Sequence, residues 1–360
     1  MKTGSITSER RFGKTKLMIL NEAHTKAEFT HFRELGKYLN PNDLIVMNIS
    51  GTVPGSFLGE VNGSSIEIRL AAFAGTAVED FSEWWAIAFG EGSWRMPTED
   101  RGLPEKLKMG DLIRVSEDFF IKILEINSRV MKIRFEGKNI FDKIYRNGRA
   151  IQYSYHKDAL PLWDVQTLLS QVPISVEAPS ALFPFDWNHF FALSKICKVA
   201  FLYHGAGISS TGDEKLDELL PLSEFFSIPQ ATIDAVLHAK KSSGRIIAVG
   251  TSVVRALESA FERGLEQAKV KGITTLKLKD GDRAKITDGL LTGFHEPQTS
   301  HFQLESAILP KNFLMKTYMQ AEKRGFIGHE YGDAVLLLRK TFALPQKSVR
   351  RCNDDGALLL

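Results

Sequence analysis

Cysteine is almost absent from this chain: Cys197 and Cys352 are the only two among 360 residues. Two thiols are too few for a disulfide framework or a structural zinc site. Long apolar runs are missing as well, and no stretch approaches the roughly 18 unbroken apolar residues of a membrane span. Charge of either sign is nearly balanced. Forty-six Lys and Arg stand against 43 Asp and Glu, a net charge of +3, which does not announce a nucleic-acid binder; any such binding would need a local patch. The sequence has no HExxH, no GxSxG and no Walker loop, so zincin, α/β-hydrolase and P-loop chemistry lack support. Nine histidines are scattered without a short-spaced pair on one helix face, and no metal site is expected. The opening MKTGSITSERRFGKTK has charge without an apolar segment behind it, so it does not read as a secretory signal and a cytoplasmic location is expected.

What is present is a soluble composition, 43% hydrophobic and 25% charged, with α/β patterning at both ends and β patterning between. Lys16 to Leu20 and Leu44 to Met47 read as strands flanking a helix over residues 27–39. From about Phe57 to Gly148 the runs SSIEIRLAAF, EWWAIAFG, DLIRVSEDFFIKILEI and RVMKIRFEG alternate and are broken by Gly or Asn, as in a meander or small barrel. Strands over 199–203 and 246–249 then alternate with helices near 187–195, 229–241 and 252–268, with Pro229 in the first turn of the middle one. The expected fold class is α/β: a mixed α/β domain from 1–56 and 149–345, an inserted all-β barrel-like domain over 57–148, and a tail over 346–360. From Arg95 to Arg149, thirteen basic residues face nine acidic ones, a local excess that a solvated surface explains as well as an RNA contact does.

Four constellations carry chemistry. The first is GRIIAVGTSVVRALES, where the apolar strand Ile246–Val249 breaks at Gly250 and re-enters as a helix capped by Thr251 or Ser252. Val253, Val254, Leu257, Phe261 and Leu265 give that helix an apolar side, and its free N–H groups with Arg255 suit an anion. An ordinary capped helix with a surface arginine satisfies the same letters. The second is Tyr203-His204-Gly205-Ala206-Gly207 after the strand VAFLY, where small residues let a ligand approach and an imidazole titrates near neutrality. A core histidine is the plain alternative. The third crowds His295, Glu296, Thr299, Ser300 and His301 into a loop after ITDGLL. The fourth, Glu330-Tyr331-Gly332-Asp333-Ala334, precedes the strand VLLL, with Asp333 binding a hydroxyl or capping a turn.

In this order the motifs resemble the S-adenosylmethionine:tRNA ribosyltransferase-isomerase family of queuosine biosynthesis. The likeness begins near Glu9-Arg10-Arg11 and runs through LNPNDLIVMNISGTVPGSFLGE. After the insert it continues through Val165-Gln166-Thr167, Ala178-Pro179-Ser180-Ala181, His204 to Gly207, Ser223-Glu224, residues 228–260, TDGLLTGFHEPQTS and YGDA. The family implies an α/β fold carrying a β-barrel. It also implies an enzyme that passes the ribosyl portion of S-adenosylmethionine to a 7-deazaguanine in tRNA, forms epoxyqueuosine, and releases adenine and methionine. S-adenosylmethionine is then a co-substrate, no cofactor is permanently held, tRNA is the partner, and no membrane or metal is involved.

Carried onto this chain, the resemblance makes His204, Arg255, His295 and Asp333 the candidate catalytic residues. Gly250, Thr251, Ser252, Gly205 and Gly207 are the candidates for S-adenosylmethionine binding, and Asn48, Gln166 and Glu224 for substrate binding. Two segments depart from the family. Its Asn-x-Thr-Arg-Val-x-Pro-Ala-Arg is NISGTVPGS here, with Gly51 and Ser56 in place of both arginines, and its Pro-Thr-Ala-Gly-Leu-His-Phe is PSALFPF, with Leu182 and Pro184 replacing the glycine and histidine. These losses leave open a same-fold enzyme with another acceptor and a non-catalytic protein binding S-adenosylmethionine or RNA.

Overall fold

A computed structural model describes residues 13–339 apart from 25, 105, 155–157, 212, 298 and 329–330. The Glu9-Arg10-Arg11 segment, Glu330 and the 346–360 tail lie outside the described residues. The strands and helices of the chain, in order, are β1 Lys16–Asn21, β2 Glu28–His31, β3 Leu44–Asn48, β4 Ser56–Val61, β5 Ser64–Phe73, β6 Glu83–Phe89, β7 Leu112–Ser116, β8 Phe119–Asn127, β9 Val130–Glu136 and α1 Ile140–Asn147. There follow α2 Trp187–Ser194, β10 Lys198–His204, α3 Glu214–Asp217, β11 Glu224–Ser227, α4 Gln230–Lys241, β12 Ile246–Val249, α5 Thr251–Ala260, β13 Lys271–Thr274, β14 Gly289–Gly293, α6 Ser300–Ser306, α7 Lys311–Lys323 and β15 Ala334–Leu338.

Among the described residues, nine strands form one mixed sheet in the order β13-β11-β10-β3-β12-β14-β15-β1-β2. Its centre is parallel, with β3 between β10 and β12 and β14 beside β12. That is why β3 and β12 read as unbroken apolar runs. Leu44, Val46, Ile246 and Ala248 pack under α4 and α5 on one face, while Ile45, Met47, Ile247 and Val249 meet Phe185, Leu193 and Leu182 on the other. A strand covered on both sides has no polar face to show.

Strands β4 to β9 close into a six-stranded barrel. Its interior is aromatic: the Phe57 and Phe135 rings are 5.1 Å apart, and Phe73 meets Trp84 at 5.1 Å. Trp84 sends its indole N–H to the Phe81 carbonyl at 2.8 Å, so the buried ring leaves no orphan donor. The fold is thus the expected α/β body with an inserted barrel. The basic excess over 95–149 is largely spent within the molecule. Arg101 pairs with Glu67, Arg114 with Glu60, Arg129 with Asp213, Lys132 and Arg134 with Glu83, and Lys143 with Asp118.

Five local expectations need correction, the first being the loop at 299–301: Ser300 and His301 open α6, with Thr299 as its N-cap. Residues 27–39 do not form an α-helix: Glu28–His31 is an edge strand on β1, followed by a 3-10 helix over Phe32–Tyr38. Pairing of Met18 with Phe29, and burial of Phe32 and Leu35 at a three-residue spacing, outweigh local helix preference. The helix after β12 stops at Ala260, and Leu265 is exposed in a separate 3-10 turn. Its N-cap is Gly250, with φ of 92° and no side-chain cap, so neither Thr251 nor Ser252 caps it. Pro229 is likewise the N-cap of α4, one position before the first turn.

Candidate active site

Parallel strands β10 and β12 and their neighbour β14 end at His204, Val249 and Gly293. Ligands in α/β sheets gather at such strand ends, and here a cavity of about 730 Å³ opens there. Its walls come from Glu177 to Ala181, the 206–211 loop, the start of α5, residues 276–279, and the segment from Thr292 to Leu304. The volume is that of a small-molecule site.

Gly250 makes the strand-to-helix turn. Its φ of 92° is a conformation that a side chain strains, and its N–H is held by the Leu291 carbonyl at 2.8 Å. Thr251 and Ser252 follow on the cavity wall, and no bond from their backbone N–H groups is found among the described residues. These first-turn donors, at the positive end of the helix, suit an anion.

One turn further along α5, Arg255 is buried and paired with Glu224. Its Nε donates to the Leu276 carbonyl at 3.0 Å, and its Nη2 has no hydrogen-bond partner among the described residues. Glu224 also accepts the Gly207 N–H at 2.7 Å and lies 3.2 Å from His204 Nε2. Burial opposes the charge on Glu224, yet His204, Arg255 and the Gly207 N–H together hold its carboxyl below the usual range. Desolvation pulls the Arg255 guanidinium down, against the pull of Glu224. The His204 imidazole is fully buried, and neither ring nitrogen has hydrogen-bond geometry to any described residue. Nε2 keeps its electrostatic contact with Glu224, so Nδ1 is the ring nitrogen left without any partner among the described residues and open to a ligand.

The third constellation closes the opposite wall. Burial pushes the His295 imidazole down to about 4 and that of His301 down to about 3, and the two rings stack with centroids 4.7 Å apart. Behind them, Glu305 Oε1 lies 2.6 Å from His295 Nδ1, and the Tyr318 hydroxyl donates to Oε2 at 2.6 Å. On the barrel side, Glu177 accepts from the Tyr153 hydroxyl at 2.7 Å and the Ser209 N–H at 2.9 Å, and burial raises its carboxyl.

Of the residues singled out in the sequence, Gly207, His204, Glu224, Gly250, Thr251, Ser252, Arg255 and His295 all line this cavity. Gly205 sits just behind it, where a Cβ would come within 2.7 Å of the Ile174 carbonyl. Asn48 is also behind: its Nδ2 donates to the His204 carbonyl at 2.9 Å and its Oδ1 accepts the His204 N–H at 3.1 Å, so it fixes the strand that carries the imidazole. Gln166 is bound to the Thr52 backbone at 3.0 and 2.7 Å and does not line the cavity. Asp333 stands apart: its carboxylate accepts the N–H groups of Lys16 at 2.8 Å and Ile327 at 2.9 Å, tying the β15 entrance to β1.

The departures from the family pattern also fall away from the cavity. At Gly51 a Cβ would lie 3.2 Å from the Gln171 carbonyl. The Ser56 hydroxyl is bonded to Glu67 at 2.8 Å. Leu182 is packed in the sheet core, and Pro184 is not among the lining residues. Sequence reading missed Glu177, Glu305 and Tyr318. An acid in the apolar run FQLESAIL was the one available hint for Glu305.

Known proteins bear on this arrangement. Residues 6–337 match the family described as queuosine biosynthesis protein. The chain is 30% identical over 332 residues to the S-adenosylmethionine:tRNA ribosyltransferase-isomerase of Thermotoga maritima, covering 90% of this chain and 92% of that one. It is 29% identical over 330 residues to the enzyme of the same name from Thermosipho africanus, with the same coverage. A crystal structure of S-adenosylmethionine tRNA ribosyltransferase from Thermotoga maritima shares the fold with a TM-score of 0.51 at 24% identity, over 92% of this chain and 96% of that one. The sheet with its inserted barrel, the cavity at the strand ends and a match along nearly the whole described chain converge: the protein belongs to the queuosine biosynthesis family of S-adenosylmethionine:tRNA ribosyltransferase-isomerases and is a transferase-isomerase of that family.

Proposed function

We propose that the protein transfers the ribosyl portion of S-adenosylmethionine to the aminomethyl group of a 7-deazaguanine in tRNA and isomerises it to an epoxycyclopentanediol, giving epoxyqueuosine, adenine and methionine. The observation that carries this reading is the meeting of three sequence-distant groups in one cavity: the α5 N-terminus, the Arg255–Glu224–His204 cluster, and the His295–His301 stack. The reaction needs a base for the proton beside the sulfonium, anchors for both ends of the co-substrate, and shelter for the opened sugar. The Thr251 and Ser252 amides and the Arg255 guanidinium are the anchors for an anionic end. His204 and His295 are the groups for proton transfer or for sugar hydroxyls. Glu224 orients Arg255 and His204, and the Glu177 carboxyl serves a polar group at the barrel side. Asp333 has no part in this assignment, since its oxygens are bound to backbone amides outside the cavity. The setting is the cytoplasm, and among the described residues no helix is long and apolar enough to cross a membrane.

Purified protein given S-adenosylmethionine and precursor tRNA should release adenine. Arg255→Ala should lower that release by about two orders of magnitude or more, with folding checked by circular dichroism. Unchanged turnover removes Arg255 from the machinery. Adenine release that needs no tRNA points to a different acceptor.

A further inference from the structure

The buried acid behind His295 is unused by the assignment above. Glu305 is on α6 and Tyr318 on α7, and α6 follows the loop that carries His295. The Glu305 side chain is fully buried, whereas that of His295 is 23% exposed. Nδ1 of His295 is taken by Glu305 at 2.6 Å, which leaves Nε2 as the ring nitrogen presented to the cavity. We propose that Glu305 is a positioning residue that holds a proton against His295 Nδ1 and so makes the imidazole a proton donor to the cavity through Nε2–H. This rests on the ribosyl-transfer reading for its chemistry, and on geometry for the pair itself.

A 2.6 Å contact between an imidazole nitrogen and a carboxyl oxygen needs one proton between them. Burial disfavours charge on both partners: it raises the Glu305 carboxyl to about 8 and lowers the His295 imidazole to about 4. The shared proton therefore belongs to Glu305, and the ring's own proton to Nε2. The surrounding groups leave that balance in place. His301, stacked on His295 from α6, is itself held down to about 3 by burial. Tyr318 from α7 is raised well above its ordinary value by burial and by Glu305. Arg255 and Glu224, which act on His301 from α5 and β11, are paired with each other.

In the reaction, the Nε2 proton passes to a nitrogen of the departing purine while the electron pair of the breaking C–N bond leaves with that base, and a lone pair of the sugar's ring oxygen forms the second C–O bond at the carbon left behind. The Glu305 proton moves to Nδ1, and Glu305 becomes a carboxylate held by the Tyr318 hydroxyl. A proton taken from water at Nε2 and the return of the Nδ1 proton to Glu305 restore the pair.

The test is long-range nitrogen-15 NMR of the full-length protein labelled at histidine. Wild type should show His295 neutral with its proton on Nε2 at pH 6–7, and one transition near 8, above which Glu305 is ionised and the ring carries its proton on Nδ1. Glu305→Gln should abolish the transition. Tyr318→Phe, which removes a donor to the carboxylate, should move it upward. An imidazolium at pH 7, a wild type without the transition, a transition that survives in Glu305→Gln, or one unmoved in Tyr318→Phe overturns the proposal. In the adenine-release assay, Glu305→Gln should lower kcat by at least about tenfold with KM for S-adenosylmethionine held within about twofold. Unchanged kcat and pH profile would mean a merely structural role. A wild type that releases no adenine refutes the ribosyl-transfer reading, and the NMR titration then decides the pair alone.

Discussion

Replacing Glu224 by glutamine isolates the worth of the buried cluster. Gln keeps an acceptor for the Gly207 N–H, now bonded at 2.7 Å, but removes the charge that faces Arg255 and His204. Arg255 then remains buried, with only the Leu276 carbonyl at 3.0 Å and an Nη2 that already has no partner among the described residues. Stranding one member of a buried pair costs about 3–5 kcal/mol, and at about 2 °C per kcal/mol for a chain of this size Tm falls by about 6–10 °C. Arg255→Met should cost less than this, because Glu224 keeps His204 and the Gly207 N–H. The double variant should lose less than the sum of the singles by about 2–3 kcal/mol, since neither charge is left behind. Urea or thermal unfolding at pH 7 measures all three. Glu224 is held below the ordinary glutamate range in the fold, so its contribution is present above that range and is lost as pH falls through the folded value. The gap between wild type and Glu224→Gln should therefore narrow in acid. Strict additivity of the two substitutions, or a gap that widens in acid, refutes the reasoning.

Two further substitutions separate the site from its supports. Gly207→Ala places a Cβ 2.5 Å from the Ala71 carbonyl and 3.2 Å from Glu224 Oε1; it should cost about 1–3 kcal/mol and lower adenine release. Asp333→Asn gives up one of the two backbone amides that the carboxylate accepts among the described residues and should cost about 1–3 kcal/mol in unfolding, while kcat of the folded enzyme stays at the wild-type value.

The centre of the sheet was legible because β3, β10 and β12 are apolar runs with Gly or polar breaks, and burial on both faces requires that composition. The barrel was legible from alternation and turn spacing. Residues 27–39 misled because EFTHFRELGKYL contains helix formers, and only pairing with β1 reveals the strand. In the site, glycines and histidines at strand ends marked the cavity. Asp333 carried the same look as a ligand group, yet a carboxylate beside a turn serves backbone amides equally well. Glu305 drew no reading, although it stands in the apolar run FQLESAIL. Its burial depends on α7 folding over it, and no local pattern encodes the approach of Tyr318 thirteen residues later.

The bed beneath the 204–211 loop belongs to the barrel. Ile208 donates its N–H to the Ala71 carbonyl at 2.8 Å, the Phe73 side chain underlies Gly205, and Phe225 of β11 is packed into the barrel interior. The loop that carries Gly207 and faces Glu224 is therefore shaped from two sides at once. A transplanted barrel with a different β5 edge would therefore reshape the pocket, and the barrel is not a detachable part of the site.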